Sequence, residues 1–351
     1  MKNFLFFFIH PAYFHVFRNT INILISKGHK VDILISSKDI LEDLLINEGW
    51  KFKNIFPKGR KIKYVPAYIS AVIYIILTFI KIQLFLRNKK YDLFITDDLL
   101  GINGFVSNTP TILFQDDDVT AVPETFFQHI FCNKILSPRC SNMGFFNYKK
   151  IPFDGYKELG YLHPNKFFPD IDKTKFNKNK NDKYFLIRLV SLKATHDVGV
   201  KGLNNDDVLK IISRLEEFGN VFISSERSLS PILEKYRIKI KVNEMPHVLN
   251  FASLLISDSQ TMSAEAGVLG TPFIRFNDFV GRISYLDELE NKYNLGYGFK
   301  SNQKDKLFEK LETLLSDNKL KEKHKINRDK MLSQKIDLTD LMVDLFQNYK
   351  S

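Results

Sequence analysis

The sequence predicts an α/β protein of two Rossmann-like domains that face a central cleft. Short apolar runs alternate with helical patterns along the first half, and the alternation restarts after residue 183. Between the halves, residues 173–183 are rich in lysine and asparagine and lack apolar periodicity. Alternation of this kind is typical of a parallel sheet with helices on both faces. We therefore expect a first domain over 1–170, a linker over 171–183 and a second domain over 184–351, whose last helix is a candidate to return to the first domain.

The elements of the first half follow from its apolar runs and the residues that end them. The first run, 2–9, is too brief for a signal peptide and lacks a small-residue cleavage site, so it indicates a buried strand. Gly28 and Gly49 are typical helix ends. Strands are expected at 2–9, 30–36, 91–96 and 111–114, and helices at 14–26, 40–48 and about 65–88.

The second half shows the same order. Residues 257–272 lie between two apolar runs and predict a short helix with cap candidates at Ser259 and Thr261 and a stop at Gly270. Thr261 and Glu265, four residues apart, share one helical face. Strands are expected at 184–190, 221–224, 238–242, 251–256 and 273–276, and helices at 206–217, 231–236 and about 304–347.

The charge of the chain restricts its partners. The net charge is +11 and the sequence pI is near 9.3, which favours anionic partners. No zinc-finger, RNA-recognition or basic-zipper pattern is present, so nucleic acid is not expected. The two cysteines, Cys132 and Cys140, have no neighbours at metal spacing and indicate ordinary thiols in a reducing compartment.

One long apolar segment suggests contact with a membrane. Residues 65–80 contain no charge, and Lys58, Arg60, Lys61 and Lys63 precede them. The segment is shorter than the roughly 20 apolar residues of a membrane span. A helix that dips into an anionic surface fits residues 58–86, and a buried or groove-lining helix is the alternative. Membrane contact by this helix would place the protein in the cytoplasm, peripheral to the inner face of the plasma membrane.

Polar residues follow most of the predicted strands. In open parallel sheets ligands bind beyond the carboxyl ends of the strands, so these positions are the candidate site. Neither a Gly-x-Gly-x-x-Gly nor a P-loop pattern is present. The run 115–118 could hold a divalent cation or simply form a turn, and neither a metal nor a cofactor is expected. The strand-end residues include His10 and His15, Asp97 and Asp98, Asp116 to Asp118, Lys193 to Asp197, Ser225 and Glu226, His247, and Ser259 to Glu265.

The segment 257–272 resembles the nucleotide-binding segment of the GT-B-like superfamily, which groups UDP-N-acetylglucosamine 2-epimerases with many glycosyltransferases. The match consists of Asp258-Ser259-Gln260-Thr261, Ala264-Glu265 and Leu269-Gly270-Thr271-Pro272, without the double glycine and the first glutamate of the epimerases. The resemblance implies that Ser259 contacts a diphosphate and that Glu265 holds ribose hydroxyls. Asp98, Asp116, Glu124 and His196 resemble, in order, acidic residues and a histidine of the epimerases.

Over nearly its full length the chain is similar to a largely uncharacterised branch of this superfamily in archaea and bacteria. Its runs stand here as His10 to Phe17, Gly155 to Pro164, Ser191 to Asp197, Ser224 to Glu226 and Val280 to Arg282. The likeness implies the fold of the superfamily and leaves the reaction open.

The leading hypothesis is a glycosyltransferase that uses a nucleotide sugar, with UDP as the expected nucleotide, and a sugar or lipid-linked acceptor in surface polysaccharide or glycolipid synthesis. The alternatives are an epimerase-like enzyme and a non-catalytic nucleotide-sugar-binding protein. Arg275 is a further candidate to offset the diphosphate. The candidate catalytic residues are His15, Asp98, Asp116 and Glu124, and the candidate nucleotide-sugar ligands are Arg188, Lys193, His196, Ser225, Glu226, His247, Ser259, Gln260, Thr261, Glu265 and Arg282.

Overall fold

The computed structural model describes residues 1–36, 40–57, 59, 67–174, 182–191 and 202–350, without the side chains of Ala67, Tyr68, Ala71 and Glu124. The chain forms two compact units. The first contains Met1–Tyr161 and Ile336–Ser351, and the second contains Leu162–Lys335. The units divide after Tyr161, before the linker expected at 171–183, of which 175–181 lies outside the described residues.

Each unit is built on one parallel sheet. The first sheet has seven strands in the order β3-β2-β1-β4-β5-β6-β7, and the second has five in the order β12-β11-β10-β8-β9. Every paired neighbour runs parallel. The strands are β1 (Asn3–Phe8), β2 (Lys30–Ile35), β3 (Lys53–Asn54), β4 (Leu93–Thr96), β5 (Thr111–Phe114), β6 (Lys134–Pro138), β7 (Lys150–Phe153), β8 (Tyr184–Leu189), β9 (Asn220–Ser225), β10 (Leu254–Ser257), β11 (Phe273–Phe276) and β12 (Gly296–Phe299).

Helices connect the strands, as parallel pairing requires. The helices of the described residues are α1 (Pro11–Ser26), α2 (Leu41–Asn47), α3 (Ala67–Leu86), α4 (Gly101–Ser107), α5 (Phe126–Phe131), α6 (Asn205–Leu215), α7 (Pro231–Glu234), α8 (Met245–Phe251), α9 (Gln260–Leu269), α10 (Ser284–Asp287), α11 (Lys304–Leu315), α12 (Leu320–Leu332) and α13 (Leu338–Asn348).

The first sheet is buried on both faces. Leu5 and Phe7 of β1 belong to a core cluster with Ile82 of α3. The alternate residue Phe6 meets Phe17 of α1 edge-on, with ring centroids 5.5 Å apart. Because neighbouring strand residues point to opposite faces, a strand between two helical layers must be apolar throughout. This packing explains the continuous apolar run at the start of the chain.

The C-terminal region differs from the single helical stretch expected at 304–347. It forms α11, α12 and α13, which are separated by turns. Asp317 accepts a hydrogen bond from the N–H of Lys319 (3.0 Å), and Asp337 caps α13 by accepting from the N–H of Thr339 (3.0 Å). Such aspartates end or begin helices because their carboxylates bind free backbone donors. Helix α13 belongs to the first unit and packs against α1.

The strand expected at 238–242 is wrong. Ile223 pairs with Arg237 in an isolated bridge, and the segment then leaves the sheet. Ile238 and Ile240 are only half-buried and Val242 is exposed, so the alternating pattern has no apolar layer to pack against. The strand expected at 251–256 begins later, at Leu254, because Phe251 ends α8. In the described part of the chain, no helix combines the length and apolar character that crossing a membrane requires.

Candidate functional site

The start of α9 lies at the carboxyl end of β10 in the second unit. Ser257 accepts a hydrogen bond from the N–H of Ser259 (2.8 Å), and Ser259 caps the helix by accepting from the N–H of Met262 (3.3 Å). The cap leaves the N–H groups of Gln260 and Thr261 in the first turn, where backbone donors have no acceptor within the helix. Together with the helix dipole they form a favourable environment for an anion.

The outer face of α9 carries the two side chains that the sequence singled out. Met262, Ala266 and Leu269 are buried against the sheet. Thr261 and Glu265 are both partly exposed, one turn apart on the same face. A hydroxyl and a carboxylate therefore stand beside the free backbone donors of the helix start. This arrangement suits a ligand that carries both an anionic group and a diol.

Asn277, which the sequence reasoning missed, holds this turn in place. It is fully buried directly after β11. Its amide donates to the backbone oxygen of Asp258 (3.0 Å) and to the side-chain oxygen of Gln260 (2.7 Å). Gln260 is thereby oriented with its own amide group available as a donor. The rule that polar residues follow strands would have found Asn277, had it been applied to β11.

Asp258 is a buried acid beneath the helix start. It accepts a hydrogen bond from the N–H of Val190 (2.7 Å), and its other oxygen is 3.7 Å from Nη2 of Arg227. Burial raises the pKa of the Asp258 carboxyl to about 6, and the bond from Val190 and the charge of Arg227 oppose that shift. Asp258 thus links the ends of β8 and β10 and fixes the loop from which α9 begins.

The ends of β8 and β9 bring three more polar residues together. Arg188 donates through Nη1 to Ser224 Oγ (2.8 Å) and forms an ion pair with Glu226. Glu226 in turn lies 3.4 Å from the N–H of Ser191. Ser225, expected as a ligand, uses its hydroxyl to donate to the backbone oxygen of Arg227 (2.8 Å). Arg188 and Glu226 therefore meet, whereas Ser225 stabilises its own turn.

The remaining predicted ligands of this unit are dispersed. His247 lies in α8, where its Nδ1 accepts from the N–H of Asp170 (3.0 Å) and burial lowers the pKa of its imidazole. Arg275 is fully buried and pairs bidentately with Glu290, at 2.8 and 3.1 Å. Its guanidinium, which was expected to bind a diphosphate, is therefore paired with Glu290 instead. Arg282 is exposed after β11. Lys193 and His196 lie outside the described residues.

In the first unit, acidic residues gather at the carboxyl ends of β1, β4 and β5. Asp97 accepts from the N–H of Ile9 (3.2 Å), and Asp98 accepts from the side-chain amide of Gln128 (3.2 Å). Asp116 accepts from the hydroxyl of Tyr13 (2.9 Å). All three aspartates are buried. The structure thus brings Asp98 and Asp116, both predicted from sequence, to the same edge of one sheet.

Lys157 is the basic residue of this cluster. It forms an ion pair with Asp116, and its Nζ is 3.6 Å from Glu158 Oε1. Both Lys157 and Asp116 are almost fully buried, at 7% and 3% side-chain exposure. Burial and the nearby carboxylates of Asp116 and Asp97 raise the pKa of the Tyr13 phenol well above its ordinary value. Buried charges are stable only when paired, so this arrangement fixes the carboxylate of Asp116 in one orientation.

The structure does not bring His15 to this cluster. His15, expected among the polar residues that follow β1, lies within α1, because His10 caps the helix and Pro11 begins it directly. Its ring contacts Tyr161, with centroids 5.4 Å apart. Burial, and secondarily the charge of Arg18, lower the pKa of the imidazole to about 4. Tyr13, two residues earlier, faces Asp116, and positions two apart on a helix do not share a face.

Two further observations complete the site. The backbone of Glu124 lies in the 3-10 turn Pro123–Thr125, and its side chain lies outside the described residues. Within the ranges that the structure describes, no group of three or more His, Cys, Asp or Glu is arranged to hold a metal ion.

Comparison with solved structures identifies the fold. S. aureus MnaA in a co-structure with UDP superimposes with a TM-score of 0.69 at 11% identity, over 99% of this chain and 97% of that one. The UDP-GlcNAc 2-epimerase of Neisseria meningitidis bound to UDP-GlcNAc gives 0.66 at 11%, over 99% and 100%. MurG of Acinetobacter baumannii gives 0.62 at 13%, over 99% and 100%. No protein-family model and no curated protein sequence matches the chain.

The chain therefore has the GT-B fold, with two Rossmann-like domains built on parallel sheets of seven and five strands. The prediction of an α/β protein with two Rossmann-like domains is confirmed, and the resemblance to the GT-B superfamily is confirmed at the level of fold.

Proposed function

We propose that this GT-B chain is an enzyme that binds a nucleotide sugar at the start of α9. The diphosphate would accept hydrogen bonds from the N–H groups of Gln260 and Thr261, and Ser259 would stand beside it. The carboxylate of Glu265, one turn further on, would accept hydrogen bonds from the ribose hydroxyls. The observation that carries the proposal is this combination of a capped helix start and an acid one turn away, held by the buried Asn277.

The comparisons supply independent support for this ligand class. The structures of MnaA and of the meningococcal epimerase contain UDP and UDP-GlcNAc, respectively. Both proteins are 11% identical to this chain and share its fold. UDP as the nucleotide of this chain is therefore part of the proposal. Charge-assisted hydrogen bonds of the kind assigned to Glu265 contribute about 1.5–3 kcal/mol each, enough to make this residue dominant in nucleotide affinity.

We further propose that the reaction is glycosyl transfer to a sugar or lipid-linked acceptor. Asp98 and Asp116 are the general-base candidates because both are buried carboxylates at the edge of the first sheet, fixed by Gln128 and by Tyr13 and Lys157. A carboxylate there would take the proton of the acceptor hydroxyl as the new glycosidic bond forms. His15 is the weaker candidate, since its ring lies among Phe14, Tyr161 and Arg18.

Epimerisation at the sugar C2 is the second candidate function. The clustering of Asp97, Asp98 and Asp116 favours it, because removing and returning a carbon-bound proton needs acid and base groups on a fixed scaffold. The two reactions differ in what they require. A transferase needs an acceptor, whereas an epimerase exchanges the C2 proton with solvent without one.

The first experiment is a thermal-shift screen of the full chain against UDP, GDP, CMP and their sugars. A uridine nucleotide should raise the melting temperature of the wild type by clearly more than that of Glu265→Ala. Glu309→Ala, an exposed glutamate of α11, is the matched control and should respond like the wild type. Absence of a shift with every nucleotide would remove the proposal.

The second experiment separates the reactions. UDP-N-acetylglucosamine is incubated with the protein in deuterated water, without acceptor, and analysed by NMR. Deuterium at C2 supports the epimerase. Intact, undeuterated sugar that is consumed only after acceptor is added supports the transferase. If donor binds but neither reaction occurs with any acceptor, the chain is a binding protein and the catalytic proposal fails.

A further inference from the structure

Helices α3, α4 and α5 form one layer on the first sheet. The chain steps from β3 to β4, then to β5 and to β6, always in the same direction along the sheet. Right-handed crossovers place such helices together on one face, opposite α1 and α2. Helix α3 packs against α4, and α4 against α5. The inner side of the layer is part of the core, since Ile82 and Leu86 of α3 are buried in it.

The outer side of this layer is apolar and exposed. On α3 the exposed residues recur every three to four positions and form a stripe along the helix. Phe105 on α4 is 77% exposed, and Phe145 beyond β6 is 83% exposed. Large exposed apolar patches on a soluble chain mark sites of interaction. The members of this surface, called here the apolar face, are Ile69, Val72, Ile76, Ile80, Leu84, Phe105, Val106, Phe126, Phe127, Ile130, Phe145 and Tyr148.

The apolar face is continuous across the three helices. A depression of about 410 Å³ lies between Ile80 and Leu84 of α3 and Ser107 at the end of α4. A second depression of about 460 Å³ is lined by Phe105 of α4, Ile130 of α5 and Tyr148. The ring of Phe126 meets that of Phe146 at 5.3 Å, which joins α5 to the segment 144–149. The exposed side chains thus form one surface and not isolated contacts.

The sequence segments that carry the apolar face are basic. Segments 67–91, 99–114 and 125–153 contain no Asp or Glu, although the chain has 40 acidic residues among 351. Arg87, Lys90 and Lys134 are exposed at its margins. Lys149 is held by the backbone oxygens at the end of α5, at 2.7–2.9 Å. The basic residues of these segments are Lys81, Arg87, Lys89, Lys90, Lys134, Arg139, Lys149 and Lys150. Lys89 pairs with Asp32 at 3.0 Å and Arg139 pairs with Asp154 at 2.7 Å.

The apolar side chains and the basic residues at their margin together distinguish between two possible partners of the apolar face. A second copy of the chain, docked symmetrically, would bring the exposed Arg87, Lys90 and Lys134 of both copies to one interface, where like charges repel. A bilayer with anionic lipids offers apolar depth for the side chains and phosphates for the basic margin. We propose that the apolar face binds the surface of an anionic membrane, with α3 lying in the plane of the interface.

The proposal extends the contact expected at 58–86 to α4, α5 and the segment 144–148. It does not depend on the nucleotide-sugar assignment. Of the residues expected from sequence, 58 and 60–66 lie outside the described residues, and the proposal uses none of them. Contact by several helices of one rigid layer differs from insertion of a single helix, because residues far apart in sequence contribute together.

The test is sedimentation of the full chain with vesicles of phosphatidylcholine alone and of phosphatidylcholine with phosphatidylglycerol. The wild type should bind the anionic vesicles at least tenfold more tightly than the neutral ones. The double variant Leu84→Gln/Phe105→Gln should bind at least tenfold more weakly than the wild type. The matched control is Ile232→Gln/Ile326→Gln, two isoleucines of the second unit with 56% and 62% exposure, and it should bind like the wild type.

A charge-reversal variant tests the contribution of the basic residues to membrane binding. Arg87→Glu/Lys90→Glu should lose the preference for anionic vesicles. Fluorescence of Trp50 and a cooperative thermal unfolding transition report whether each variant is folded. Three results would overturn the proposal: no vesicle binding by the wild type, equal binding by the Leu84/Phe105 variant, or a wild-type dimer that this variant converts to monomer.

Discussion

Replacing Lys157 by methionine measures how strongly the acidic edge of the first sheet depends on one buried cation. Lys157 pairs with Asp116 and lies 3.6 Å from Glu158, and all three side chains are at most 7% exposed. Removing one partner of a buried pair costs about 3–5 kcal/mol, because the remaining charge has no compensation. Two carboxylates share this lysine, so we expect the loss to lie at the upper end of that range.

The assay is urea unfolding followed by fluorescence of Trp50, the one tryptophan of the sequence, which belongs to the first unit. Adding Asp116→Asn to Lys157→Met should restore at least about 2 kcal/mol, since the amide can still accept from Tyr13 and no longer carries charge. Arg139→Met is the control, because its pair with Asp154 is exposed and its loss should cost far less than the loss of Lys157. A loss of stability for Lys157→Met no larger than that for Arg139→Met would refute the reasoning.

Two predictions concern pH. His15 has a pKa of about 4 in the folded chain, so the unfolded chain binds a proton at this residue first as the pH falls. The contribution of His15 to stability should be fully present above about pH 6.5 and should fall by up to about 3 kcal/mol by pH 4. Urea unfolding of wild type and His15→Gln at pH 4.5 and 7 checks this, and an unchanged difference contradicts it. The pH dependence expected for Asp258 has the opposite sign. Because its pKa is about 6 in the folded chain, its contribution to stability falls by about 3 kcal/mol as the pH rises from about 4 to 6. Calorimetry of Asp258→Asn against wild type should show the variant gaining relative stability over that interval, and a constant difference would exclude the raised pKa.

The secondary structure that the sequence predicted best is bounded by strong local signals. Strands β5 and β11 were located to the residue, because their apolar runs end in aspartates or follow a Gly-Thr-Pro stop. The expected strands do not include β3, β6, β7 or β12. Lys150–Phe153 contains lysine and proline, and Gly296–Phe299 contains two glycines, so neither has an apolar run. Their strand geometry comes from hydrogen bonds to β6 and β11, which no local pattern shows.

Some residues of the candidate site could be predicted from the sequence, and their partners could not. Strand-end positions pointed to Asp98, Asp116 and Ser259 because a parallel sheet places all such ends at one edge. The sequence could not show that Lys157 pairs with an aspartate 41 residues away, or that Tyr13 donates to the same residue across 103 positions. Those partners follow from packing of α1 and the turn at Lys157–Gly160 against each other.

Calorimetric titration of UDP and of 2′,3′-dideoxyuridine diphosphate tests the central claim most directly. The account predicts that the wild type binds UDP about 10- to 100-fold more tightly than the dideoxy compound, since hydrogen bonds to a carboxylate contribute about 1.5–3 kcal/mol. Glu265→Ala should bind both compounds with equal, weaker affinity, and Glu309→Ala should discriminate like the wild type. Retention of the full discrimination by Glu265→Ala, or no binding of UDP by the wild type, would contradict the assignment of the ribose to α9.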